Sequence, residues 1–152
     1  MKKAVAILFI ILLNACSTQI AKNKNEVKDS NEKKDTLQVF LQEIIEDERF
    51  DDYFQFLTDE EKTKIAFVEN TKLGITDSMK LVKYQQPLKC LNFYDRQKDD
   101  VYFYFTEIHK SKDSLKFKYY FQFRYENMLC ATYFVKKNQE WEKAYTRMAI
   151  LD

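Results

Sequence analysis

Residues 114–126 read SLKFKYYFQFRYE, in which large apolar side chains recur at every second position. Only an extended strand, whose side chains point alternately to opposite faces, puts such a set on one side. Leu115, Phe117, Tyr119, Phe121, Phe123 and Tyr125 are therefore expected to face a core, and Lys116, Lys118, Tyr120, Gln122 and Arg124 to face away from it. The same period of two holds from Pro87 onward. It predicts strands at about 88–95, 100–109, 114–126, 128–137 and 141–150, separated by the polar breaks RQKD, KSKD, EN and NQE. Connections this short join antiparallel neighbours, so a meander is expected.

Upstream of Pro87 the period is 3.6. Leu37, Phe40, Leu41, Ile44 and Ile45 fall on one helical face, with Asp35 and Gln38 as a capping pair. Phe50, Tyr53, Phe54 and Leu57 mark a second short helix, and TDEE at 58–61 reads as a capping box. KIAFV at 64–68 fits a helix or a short strand, and TDSMKLVKY after Gly74 reads as a third short helix ending near Pro87. Helices first and strands second give an α+β class, with N-terminal helices on one face of a curved antiparallel sheet of four to six strands.

The first 35 residues do not belong to that pattern. Lys2 and Lys3 precede an apolar run from Ala4 to Leu13. Ten apolar residues are about half of what a bilayer-spanning helix requires, but they suit a signal peptide. The run ends in Leu13-Asn14-Ala15-Cys16, which resembles the lipobox of bacterial lipoproteins. That resemblance implies cleavage between Ala15 and Cys16, lipid such as palmitate on Cys16, and a membrane-anchored protein of the cell envelope, on the outer membrane facing the periplasm. Several acyl chains would hold it firmly, at about 0.8 kcal/mol per buried methylene. Residues 17–35 carry only Ile20, Ala21 and Val27 as apolar side chains, so 16–35 is expected to be a polar tether and 36–152 the globular domain. A coil of about 18 residues spans on the order of 25 Å.

Cleavage would reduce the 25 basic residues to 23 against 24 acidic ones, a net charge of −1. A near-neutral chain lacks the electrostatic footprint of a nucleic-acid binder. One Gly and one Pro in 152 residues exclude glycine-rich phosphate loops. His109 is the sole histidine, which excludes a multi-histidine metal site, and no serine sits in a nucleophile elbow. No catalytic residue, metal or cofactor is expected. Cys90 and Cys130 would fall on strands three places apart in a meander, roughly 14 Å, against the 4.4–6.8 Å between Cα atoms that a disulfide needs. Two free thiols are expected.

The aromatic content is 16%. If Phe103 and Phe105 pack inward with Val101, then Tyr102, Tyr104 and Tyr120 share the outer face with Lys118 and Arg124, and a turn at Glu126-Asn127 adds Tyr133. Tyrosine and arginine are the residues that interface centres favour. Tyr102, Tyr104, Tyr120, Tyr133 and Arg124 thus form a candidate docking surface for a protein partner or a second copy, beside the alternative of cross-strand pairing that only stabilises the sheet.

The order of elements, and the ending TYFVKKNQEWEKAYTRM, resemble the cystatin-like α+β roll of the nuclear transport factor 2-like families. The resemblance implies a cone-shaped pocket between helices and sheet, and often a sheet-mediated dimer. It therefore keeps a small-ligand or enzymatic domain as the second functional expectation, and brings no catalytic residue with it.

Overall fold

A computed structural model describes residues 36–97 and 100–151. The signal segment, Ala15, Cys16, the tether and Asp35 lie outside the described residues. Gln38–Asp152 form one compact unit.

The first helix, α1, covers residues 36–45 and buries Phe40, Leu41, Ile44 and Ile45, the face expected from its period. A 3-10 turn, Glu48–Phe50, leads into the single-turn helices α2 (Asp51–Phe54) and α3 (Asp59–Lys62). The capping box of α3 is complete: Glu61 N–H donates to Thr58 Oγ1 at 3.2 Å and Thr58 N–H to Glu61 Oε2 at 2.7 Å.

Among the described residues eight strands follow in chain order: β1 (Ala66–Val68), β2 (Val82–Lys83), β3 (Gln86–Pro87), β4 (Lys89–Leu91), β5 (Tyr102–Lys110), β6 (Ser114–Phe123), β7 (Glu126–Lys137) and β8 (Glu140–Leu151). Six make one sheet in the order β4-β1-β5-β6-β7-β8, and β2-β3 is a separate hairpin. The sheet is mixed, because β1 pairs in parallel with both β4 and β5. This corrects the expected all-antiparallel meander: β1 inserts where β4 and β5 were to meet, while β5 to β8 run as expected. All three residues of β1 are buried, so its sequence is continuously apolar and shows no period.

The third helix is absent. Met79, Leu81 and Lys83 are buried and Lys80, Val82 and Tyr84 exposed, a period of two. The side chains of α1 capture this segment's backbone. Gln38 Oε1 accepts from Lys80 N–H at 3.0 Å, and the Gln42 amide bonds both N–H and C=O of Val82, at 2.9 and 2.8 Å. Gln38 is therefore engaged away from its own helix cap. The segment expected at 88–95 is a three-residue strand followed by a 3-10 turn, Phe93–Asp95.

The inner sheet face is built from rings. Phe103, Phe117, Tyr119 and Phe121 have no exposed area. Phe40 meets Phe117 and Phe134 at 5.9 and 4.9 Å, and Phe50 and Phe54 meet Phe121 at 4.7 and 5.6 Å. Tyr125, expected inward, is 83% exposed, because β6 ends at Phe123 and the chain turns through Arg124 and Tyr125. The turn expected at Glu126-Asn127 thus lies two residues earlier. Partner positions shift by four, an even number, so the faces survive the slip. Cys90 and Cys130 are both unpaired thiols, on strands four places apart in the sheet order.

Candidate functional site

The register of β5 to β8 arranges the outer face in rows. One row is Tyr104, Tyr120, Leu129 and Ala149. The next is Glu107, Lys118, Ala131 and Arg147, and the third is His109, Lys116, Tyr133 and Tyr145. Tyr104 and Tyr120 stack at 6.4 Å with 19° between planes, and Tyr133 and Tyr145 at 4.4 Å with 24°. Lys116 Nζ lies 5.0 Å from the Tyr133 ring centre and the Arg147 guanidinium 5.3 Å from that of Tyr145. The hydrogen bond with Lys116 pulls the Tyr133 phenol below its ordinary value. Between the aromatic rows, Glu107 binds Lys118 at 2.8 Å and His109 at 2.6 Å, and these bonds hold its carboxyl below the usual range, Lys118 contributing most. Leu129 and Tyr145 remain 39% and 42% exposed.

Of the five residues expected on this surface, Tyr104, Tyr120 and Tyr133 are brought together. Tyr102 shares the face but is buried. It joins Ala66 and Val68 in a second small core, with Leu91 and Tyr104 packed against it, made necessary by the inserted β1. The Phe93–Asp95 turn and Arg96 lie against the same end. Phe93 is 5.2 Å from the Tyr104 ring, and the Arg96 guanidinium sits 3.7 Å above Phe93 and 5.5 Å from Tyr102. Arg124 belongs elsewhere: in the turn, at φ 54°, its guanidinium donates to Phe56 O at 3.2 Å and pairs with Glu61 at 3.3 Å, anchoring the turn to α3. Leu129, Tyr145 and Arg147 were missed. Tyr145 and Arg147 alternate along β8 in the same way as the predicted tyrosines, so the outward set could have been extended to them. Phe93 and Arg96 lie in a short irregular connection with no periodic signal.

Two polar clusters lie outside this face. Asp47 is buried and accepts from Arg49 Nε at 2.9 Å, from Arg49 Nη2 at 2.8 Å and from Thr146 Oγ1 at 3.0 Å, with Lys143 Nζ at 3.4 Å. Thr146 bonds Thr132 at 2.8 Å and Thr132 bonds Tyr119 at 3.0 Å, so a hydrogen-bonded chain crosses the core. Burial alone would raise the Asp47 pKa, but the bonds from Arg49 and Thr146 and the Lys143 charge hold it at about 2. The Arg49 Nη1 group also donates to Thr146 O, closing a latch between the 3-10 turn and β8. The second cluster centres on Asp51, the first residue of α2. It accepts from Lys83 Nζ and Tyr84 Oη, each at 2.7 Å. Both clusters join helical segments to strands or the β2-β3 hairpin and are accounted for as structure.

Neither thiol is poised for nucleophilic chemistry. Burial pushes Cys130 up to about 12 and raises Cys90 as well, the opposite of an activated thiolate. His109 is engaged with Glu107 on the outer face, whereas Cys130 is buried on the inner one. Among the described residues, no three His, Cys, Asp or Glu side chains are grouped to hold a metal ion, and no helix is long and apolar enough to cross a membrane. No protein-family model, curated protein or solved structure matches the chain.

Proposed function

We propose that this protein is a lipid-anchored lipoprotein of the bacterial cell envelope, and that its globular domain is a non-catalytic docking module using the outer face of the sheet. The observation that supports docking is the paired-ring surface itself. Tyr104 and Tyr120 share a row with Leu129, Tyr133 and Tyr145 share another with Lys116, and Arg147 lies in the charged row between them. Aromatic and arginine side chains on a rigid scaffold supply large contact area at small entropic cost. The anchor rests on the lipobox-like Leu13-Asn14-Ala15-Cys16. Cys16→Ser is expected to abolish incorporation of labelled palmitate and to release the protein from the membrane fraction. Undiminished labelling would remove the anchor from this account.

We assign the domain to a cystatin-like roll on the same footing, supported by its element order and by the rings of Phe40, Phe50 and Phe54 lying against one sheet face. The alternative, a ligand pocket between helices and inner face, is weakened by Phe103, Phe117 and Phe121, whose rings are buried on that face. The test is crosslinking in intact cells with neighbours identified by mass spectrometry, using Leu129→Ser/Tyr145→Ala as the comparison. Tyr104 is a poorer choice, because it also packs against the second core.

A further inference from the structure

The middle row of the outer face carries opposite charges at its two ends. Glu107 stands on β5 and Arg147 on β8, with Lys118 and Ala131 between them. Three strand spacings, roughly 14 Å, keep the two from meeting within one chain. Lys118 and His109 both bond Glu107 at Oε2, which leaves Oε1 to a further donor. Arg147 is exposed, and among the described residues no carboxylate pairs with it. We infer that the partner of this face is a second copy of the same chain, docked face to face about a two-fold axis running along the strands between β6 and β7. The inference rests on the proposal that the outer face docks, and it supplies the partner.

A two-fold interface joins a patch to itself, so each side chain must suit the one the axis sets opposite. About this axis β5 faces β8 of the second copy, β6 faces β7, and every row meets its own row. Glu107 then meets Arg147 twice, once in each direction, and Lys118 meets Ala131. Tyr104 meets Ala149 and Tyr120 meets Leu129, a ring against a smaller side chain each time. In the third row Lys116 meets the Tyr133 ring and His109 meets Tyr145. An axis across the strands would instead set Glu107 on Glu107, Lys118 on Lys118 and Arg147 on Arg147, like charges that select against the partner. The fold also fixes the midline. Among the described residues the Phe93–Asp95 turn and Arg96 cover the sheet on the β5 side, where β1 and β4 extend it, so the open part is β5 to β8 and its centre lies between β6 and β7. Stacked sheets cross at about 30°, which displaces rows about 6.7 Å from the centre by about 3 Å, less than one strand spacing. Four strands of about ten residues cover roughly 600 Å² in projection, so two copies bury on the order of 1,200 Å², the lower end of the range for stable complexes.

The test co-expresses the full chain under two different epitope tags and measures, after crosslinking in intact cells, how much of one tag is recovered with the other. Glu107→Arg on both copies, or Arg147→Glu on both, sets like charges opposite each other and should lower recovery about tenfold or more. Glu107→Arg on one tag with Arg147→Glu on the other restores both opposite-charge contacts, and recovery should return to about that of the unmodified pair. That rescue is open only to folded chains. A conservative variant gives an independent readout: in Arg147→Lys, a zero-length carbodiimide should condense the new amine with the Glu107 carboxylate of the other copy, losing water and leaving an amide that joins two chains at those positions. Absence of self-recovery from the unmodified pair, undiminished recovery from either single reversal, no rescue in the mixed pair, or no such amide in Arg147→Lys would overturn the inference. A different protein recovered through this face, without a second copy, would overturn it and leave the docking proposal standing. Recovery of neither would remove both.

Discussion

Asp47 is the residue on which the packing of the 3-10 turn against β8 depends, since three neighbours bond its one carboxylate. Its pKa, about 2, lies below the 3.8 of an unstrained aspartate. A group whose folded pKa is depressed contributes stability above its unfolded pKa, and loses it as pH falls toward the folded value. The contribution at pH 7 is about 2 kcal/mol. Asp47→Asn should therefore be destabilised by that order at pH 7 in urea unfolding, and the gap to the unmodified protein should close between about pH 4 and pH 2. A gap independent of pH would show that the carboxylate charge is not what matters. Nothing in the sequence singled out Asp47, because the chain Tyr119–Thr132–Thr146–Asp47 joins residues from three strands and a turn. Arg124 failed for a related reason: alternation places a side chain correctly only while the strand lasts, and β6 stops one residue earlier.

At the level of elements, the long strands β5 to β8 were legible because each has one buried and one exposed face, which leaves a period of two in the sequence. β1 was ambiguous because it has two covered faces. The β2 segment was misread because Lys83, a charged residue, occupies a buried position, its ammonium satisfied by Asp51 at 2.7 Å. The helical turns α2 and α3 were legible from the spacing of Phe50 to Leu57 and from the capping box at 58–61, though each is a single turn. The β7-β8 connection offers a test. Asn138 and Gln139 both adopt positive φ, 51° and 73°, in a two-residue hairpin turn. Such turns favour asparagine followed by glycine, and glutamine has no compensation for its β-carbon there. Gln139→Gly is expected to raise stability by about 0.5–1 kcal/mol, read as a higher urea midpoint with an unchanged slope. A lower midpoint would mean that Gln139 makes a stabilising contribution of its own.

Taken as a whole, the molecule is asymmetric about its sheet. One face is sealed by phenylalanines and short helical segments. Among the described residues, the other is covered where the Phe93–Asp95 turn and Arg96 lie on it, and elsewhere shows stacked tyrosines flanked by cations. The outer surface was about half legible: the parity of β6 and β7 placed Tyr120 and Tyr133 correctly, and the inserted parallel strand, which no periodicity announced, removed Tyr102. Stacked cross-strand pairs alone contribute roughly 0.2–1 kcal/mol each, so a purely stabilising role predicts a modest loss of stability and nothing more when they are removed. A docking role predicts more. Crosslinking in intact cells with the unmodified chain and with Leu129→Ser/Tyr145→Ala separates the two. A defined neighbour, or a second copy of this chain, should be recovered with the first and lost with the second, while the variant's circular dichroism and membrane localisation stay unchanged. Recovery of the same neighbour at the same yield from the folded variant would contradict the assignment of this face to docking.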